Sequence, residues 1–323
     1  MSSTTVLERD AAEEHERFRH DAVFYAGPAD FVDRTAPFIR DSVRADEPIL
    51  VVVSAEKIDL LKNELDGESE GVRFADMAAV GHNPARIIPA WRAFVAEQSI
   101  DGRRFRGVGE PIWATRSSHE LVECERHEAL LNLAFADAPA WWLACPYDTE
   151  TLPPAVLREA ERNHPFVVDA HGRHESGTYR GLEDVTNPFD LRLPEPPTTR
   201  AELAFQREGD QLRSVRERVA EAAAVFGLDP ARADDLVLAV SEVATNSVRH
   251  GGGRGVLRIW HEDRTLICEI RDAGRIDDPL VGRGQPPGDR DSGFGLWLAN
   301  QLCDLVQIRT FDDGSVVRLH VRR

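Results

Sequence analysis

No run of apolar residues in this 323-residue chain approaches the ~18 needed for a membrane helix. The first twenty residues, MSSTTVLERDAAEEHERFRH, are polar and acidic and lack the apolar core of a secretory signal. Cysteine is scarce: Cys124, Cys145, Cys268 and Cys303 lie far apart with no C-x-x-C pair, the pattern of reduced thiols in a cytoplasmic protein. No G-x-x-x-x-G-K-[ST] phosphate loop occurs anywhere. Basic residues are outnumbered, 39 against 56, for a net charge of −17. Residues 1–200 carry −14 of this and residues 201–323 carry −3. Such a surface repels a phosphate backbone, which argues against direct nucleic-acid binding.

The length suggests about two domains. LRLPEPPTTR, 191–200, has three prolines within four residues and resists both helix and strand, so it reads as a linker. Residues 1–19 read as a flexible tail, 20–190 as the first domain and 201–323 as the second. The first domain alternates strand-like runs (AVFYAG, PILVVVS, VRFADM, FRGVGEP, AWWLACPYD) with helical ones about five times. That alternation predicts a mainly parallel α/β sheet with helices on both faces. After the linker come a short extended stretch, two helices, a strand pair turning at Glu262-Asp263, a third helix, and a hairpin turning at Asp313-Gly314. This predicts an α+β layer, strands on one side and helices on the other.

Three stretches of the second domain carry chemistry. In SEVATNSVRHG, Glu242, Asn246 and His250 follow one another at four-residue intervals and share one flank of a helix. Leu236, Val240 and Val243 form the neighbouring apolar stripe. In IRDAGR, Asp272 closes an apolar strand before Ala-Gly. The strand end places its carboxylate, which can accept from an exocyclic amine, and Gly274 lets a flat ring approach. In DSGFGLWLANQL, Gly293 and Gly295 open a helix whose free N–H groups suit an anion. Between the last two lies RIDDPLVGRGQPPGDRD, a loop of lid length. His250 reads as a helix-end residue running into Gly251–Gly253.

In this order the three motifs resemble the nucleotide-binding boxes of the gyrase–Hsp90–histidine-kinase–MutL ATPase superfamily. ADDLVLAVSEVATNSVRHG looks most like the anti-sigma-factor serine kinases of bacterial partner switching. The resemblance implies a Bergerat-type α+β ATP-binding domain over 201–323, with ATP and Mg²⁺ as cofactors. It implies that Asn246 ligates Mg²⁺, Asp272 contacts adenine, Gly274 makes room for the base, and Gly293 and Gly295 cradle phosphates. Glu242 would activate the attacking hydroxyl. The implied partners are a sigma factor and an anti-anti-sigma (STAS-type) protein. Arg275 stands where family members usually have a second glycine, which bears on the start of the lid. Helix 210–227 contains no histidine to accept phosphate. Its stripe of Leu212, Val215, Val219, Ala222 and Phe226 suits core packing, with a homodimer or partner interface as the alternative.

HDAVFYAGPADFVDRTAPFIRDSVRADEPILVVVS and RHEALLNLAF resemble the sensory domain of methanogen and methylotroph regulators, called MEDS. That implies a RecA-like sheet without nucleotide hydrolysis. A small-molecule ligand in such a sheet sits at the carboxyl ends of the strands, near which lie Tyr25, Glu110, Trp113 and Tyr147; loop packing is the alternative for each. His171 and His174 of HGRH offer a metal pair, but two histidines without clear further ligands read as loop residues. His164, like them, lies in a segment without helical character. The sequence thus points to an anti-sigma regulator and serine/threonine kinase under sensory control. A non-catalytic ATP-dependent binding module and a histidine-kinase-like sensor are the alternatives.

Overall fold

The computed structural model describes residues 17–99, 102–183, 185, 187–196, 201–206, 211–284 and 293–323. Most of the tail expected over 1–19, the end of the linker (197–200) and most of the second half of the lid (285–291) lie outside the described residues. The described chain forms two compact units. One holds the residues up to His82 together with Ala90–Val185; the other holds Asn83–Pro89 and the residues from 187 to Arg323.

The first unit contains seven strands: β1 (Arg19–Tyr25), β2 (Ile49–Val53), β3 (Val72–Asp76), β4 (Arg106–Gly109), β5 (Trp142–Asp148), β6 (Phe166–Asp169) and β7 (Gly172–Glu175). They are ordered β3-β2-β4-β5-β1-β6-β7, parallel from β3 to β6, with β7 antiparallel at the edge. Every residue of ILVVV in β2 is buried, as expected of a strand covered on both faces. The helices are α1 (Gly27–Arg44), α2 (Ala55–Leu65), the one-turn α3 (Met77–Val80), α4 (Ile87–Gln98), α5 (Ser118–Ala134) and α6 (Pro154–Asn163). Ser54 caps α2, and Ser117 with Glu120 forms a capping box on α5, each satisfying N–H groups the helix itself cannot.

Two glycines make room in β4. A Cβ on Gly107 would lie 2.8 Å from the Trp91 ring and one on Gly109 2.9 Å from it, and Trp91 is fully enclosed. The indole lies flat on the strand where side chains are missing.

The β6–β7 hairpin corrects the reading of HGRH as a plain loop. Its turn has Gly172 at φ +94°, and the exposed His174 pairs with Asp169, Nε2 to Oδ2 at 3.2 Å. Four-residue strands with one apolar run between them are too short to show alternation.

The second unit is an all-antiparallel sheet, order β11-β12-β10-β9-β8: β8 (Ala201–Gln206), β9 (Arg254–Glu262), β10 (Thr265–Asp272), β11 (Leu305–Phe311) and β12 (Gly314–Arg322). Helices α7 (Gln211–Phe226), α8 (Pro230–His250) and α9 (Phe294–Leu302) share a core with it. Leu236, Val240 and Val243 of α8 are buried there, with Val215 and Val219 of α7; Leu212, Ala222 and Phe226 pack against it. The α7 stripe is therefore core. The last hairpin turns at Asp312-Asp313, since Phe311 already pairs with Gly314. The stretch 187–196 includes residues 191–196 of the expected linker. Pro194 O accepts from the buried Arg318 at 2.8 Å, and Glu195 meets Arg258 and Arg271, each at 2.9 Å. Its prolines exclude ladder hydrogen bonds, and the arginines of the sheet hold it instead.

All four cysteines are buried and unpaired. Burial pushes the Cys124 and Cys268 thiols up to about 12, so they stay protonated. No helix among the described residues is long and apolar enough to cross a membrane.

The Gly107 contact is testable. Gly107→Ala should destabilise the first unit by about 1–3 kcal/mol, since neither the ring nor the strand can give way. Gly177→Ala, where a Cβ would meet nothing within 4 Å, should leave stability unchanged. Scanning calorimetry of the full chain compares them; equal transition temperatures would contradict the packing argument.

Candidate functional site

Helix α8 opens at Pro230 with Asp229 capping Ala231 N at 2.9 Å, and runs for 21 residues. Its buried stripe fixes its rotation on the sheet. That rotation leaves Glu242 and Asn246 half-buried on the adjoining flank, one turn apart, while the side chain of His250 is exposed. The Glu242 and Asn246 side chains converge on the start of α9. A Cβ on Gly295 would lie 3.0 Å from Asn246 Nδ2 and 3.1 Å from Glu242 Oε2. A side chain at Gly295 would therefore crowd both groups. Gly293, at the helix N-cap with φ +98°, is required for conformation.

Asp272 stands at the end of β10. Its carboxylate accepts from Ser247 Oγ at 2.5 Å and from Gly274 N at 2.8 Å. These two donors orient the group and leave further lone pairs free to accept. The wall around it is built of missing side chains. A Cβ on Gly251 would lie 2.4 Å from Asp272 Cγ, and one on Gly274 would lie 2.7 Å from Gly251 Cα and 2.8 Å from His250 O. Gly251 has φ −94°, so its lack of a side chain serves space and not backbone freedom. His250 contributes its backbone to this wall.

The segment after Asp272 is pinned by hydroxyls from the last hairpin. Ser315 Oγ donates to Gly274 O at 2.9 Å, and Thr310 Oγ1 accepts from Ile276 N at 3.0 Å. Asn300 of α9, buried, donates to Gly282 O at 3.0 Å. The exposed Arg275 has its Nε 2.7 Å from Asp277 and its Nη1 3.6 Å from Asp312. It is not among the positive-φ residues, so a glycine's conformational freedom is not used at that position.

Sequence reasoning missed Ser247, Gly251, Asn300, Thr310 and Ser315. Ser247 had a signal: it continues the Leu236–Val240–Val243 stripe, so a polar group was being buried there. The others lie far from Asp272 in sequence, and only the sheet register brings the two hydroxyls near it.

The four front-domain candidates separate. Tyr25 Oη donates to Glu110 Oε1 at 2.5 Å, and Lys57 Nζ lies 2.5 and 2.7 Å from the two Glu110 oxygens. Burial raises the Glu110 carboxyl above its usual range, opposed by the Lys57 ammonium. Lys57, one of two lysines in the chain, was not anticipated. Tyr147 is enclosed elsewhere, edge-on to His164 at 5.6 Å. Trp113 carries the Arg116 guanidinium 3.8 Å above its ring.

Residues 19–165 match the family described as the MEthanogen/methylotroph, DcmR Sensory domain, and residues 205–321 match the histidine kinase-like ATPase domain. No curated protein matches the chain. Among solved structures, the chain is similar to the RsbU and RsbW domains of Rv1364c from Mycobacterium tuberculosis, at 22% identity and a TM-score of 0.29. That similarity covers 38% of this chain and 32% of that one. The match over residues 205–321 supports a regulatory role of the ATPase or kinase type for the second unit.

Proposed function

We propose that the chain is an anti-sigma regulator whose second unit binds Mg·ATP, sequesters a sigma factor and phosphorylates a serine or threonine of a STAS-type anti-anti-sigma protein. The MEDS-type unit would set this balance in response to a small-molecule signal. The observation that carries the nucleotide part is the convergence of Glu242, Asn246 and Gly295 beside an oriented Asp272. Helix α7 offers no histidine to receive phosphate, which favours an acceptor on another protein. The choice of partners rests on the resemblance of ADDLVLAVSEVATNSVRHG to anti-sigma serine kinases.

The residues present fit a nucleotide: glycines stand where a side chain would strike Asp272 or crowd Glu242 and Asn246, so the polar groups keep their positions. Asp272, fixed by Ser247 and Gly274, would accept from the exocyclic amine of the base. Asn246 would ligate the metal through its amide oxygen, enough for a cation that keeps most of its water. Bound Mg·ATP would supply the transferable phosphoryl group and neutralise its charge. Backbone N–H groups at the start of α9 would hold phosphate oxygens. Glu242, one turn before Asn246, would take the hydroxyl proton of the acceptor residue.

Glu242→Gln should retain nucleotide binding and lower transfer by roughly 10²–10⁴-fold. The check is labelled-ATP transfer to candidate partners, with acid and base stability identifying the phosphorylated residue. Transfer at the parent rate would remove Glu242 from the role. If the parent chain binds ATP and transfers to nothing, a non-catalytic ATP-dependent module replaces the kinase reading.

Gly251→Ala probes the cradle. Its φ suits alanine, so the fold should persist, but the methyl group displaces the Asp272 carboxylate. Loss of that contact should weaken ATP binding by about 10–100-fold. Asn246→Ala should weaken binding only when magnesium is present. Calorimetric titration reads both, and parent affinity in either variant would contradict the site.

A further inference from the structure

On one face of the first unit's sheet, four side chains that sequence spacing does not connect meet out of contact with solvent. They are His20 on β1, Cys145 on the neighbouring β5, Glu128 on α5, and His164 just after α6. Their ligand atoms all lie within 4.8 Å of one another. His20 Nε2 is 3.1 Å from Glu128 Oε2 and 3.3 Å from Cys145 Sγ. His164 Nε2 is 3.4 Å from the same Glu128 oxygen.

The partners of the outer ring nitrogens decide what the inner ones carry. His164 Nδ1 faces Ala160 O at 2.8 Å, and a carbonyl can only accept. His20 Nδ1 faces Asn132 Oδ1 at 3.1 Å. The Asn132 amide nitrogen is committed to Asn163 O at 2.7 Å, which assigns its oxygen to His20. Both imidazoles thus donate outward from Nδ1 and turn bare Nε2 lone pairs inward. There they meet a carboxylate, and acceptor faces acceptor. The thiol can supply one proton. His164 Nε2 and Glu128 Oε1 still have no hydrogen-bond partner among the described residues. Protonating both rings is opposed by their 4.0 Å centroid separation.

We propose that His20, Glu128, Cys145 and His164 form a closed four-ligand site for a divalent metal ion of the zinc class. Bonds of ~2.0–2.3 Å give a tetrahedron with edges of about 3.3–3.7 Å, close to the 3.1, 3.3 and 3.4 Å of the three nearest pairs, within a set spanning 4.8 Å. Two neutral imidazoles, a thiolate and a carboxylate balance a dication to zero net charge. This is the arrangement a buried site tolerates. Binding releases the Cys145 proton to solvent, with no change of oxidation state. The outward Nδ1–H bonds match the supporting shell of metal-bound histidines. Asn132 is a positioning residue acting through His20. All four side chains are at most 1% exposed, so no coordination position opens to solvent. The ion would tie β1, β5, α5 and the end of α6 together.

The test uses the full chain produced in zinc-supplemented medium. Elemental analysis should find one zinc per chain in the parent and little in Cys145→Ser or His164→Gln. Cobalt(II) in place of zinc should give tetrahedral visible bands and a near-ultraviolet thiolate-to-metal band. Cys145→Ser should lose that band and Cys124→Ser should keep it. Asn132→Leu should lower zinc affinity by ~10–100-fold, read against a chromophoric chelator. Absence of zinc and of a thiolate band from the folded parent would overturn the proposal. So would equal metal content in parent and ligand variants. If a ligand variant fails to fold, the parent cobalt spectrum with the Cys124→Ser control decides alone.

Discussion

The second unit is organised around one carboxylate. Asp272 is held from two directions, by a hydroxyl on α8 and by a backbone N–H two residues further along its own chain. The bond from Ser247 ties the end of α8 to the end of β10. Because α8 is a rigid helix, this also decides where Glu242 and Asn246 lie. Space around the group is secured by subtraction: a side chain at Gly251, Gly274 or Gly314 would run into Asp272 or its neighbours. A short bond and three missing side chains thus place a polar group where a planar ligand could reach it. A carboxylate free to change rotamer would lose that direction.

The first unit distributes its ionisable groups differently. On one face, Tyr25, Lys57 and Glu110 gather at the carboxyl ends of β1 and β4, with Lys57 partly reaching solvent. On the other, His20, Glu128, Cys145 and His164 are sealed off. Adjacent residues in a strand point to opposite faces, so one sheet supports both environments. The open cluster lies where an α/β sheet receives ligands. The sealed one can only brace the layers around it. Burying this much charge opposes folding wherever a group is left unpaired.

Element type followed from local pattern. The all-apolar β2, the five-fold alternation of strand and helix, the Asp229-Pro230 helix start and the Ser117–Glu120 capping box each depend on residues a few positions apart. So does the shared flank of Glu242 and Asn246, which needs only the helical repeat. The β6–β7 hairpin escaped because its strands are four residues long.

What the sequence by itself determined, then, was the two sheet classes, the helix that carries Glu242 and Asn246, and the glycine-marked ends near Asp272 and Gly293. What only the tertiary structure decided was which distant residues complete each site. Ser247 finds Asp272 across 25 residues, Ser315 finds Gly274 across 41, and His20 finds Glu128 across 108. Periodicity within an element fixes direction along that element alone. Strand order and helix rotation, set by burial of the apolar stripes, determine what lies opposite.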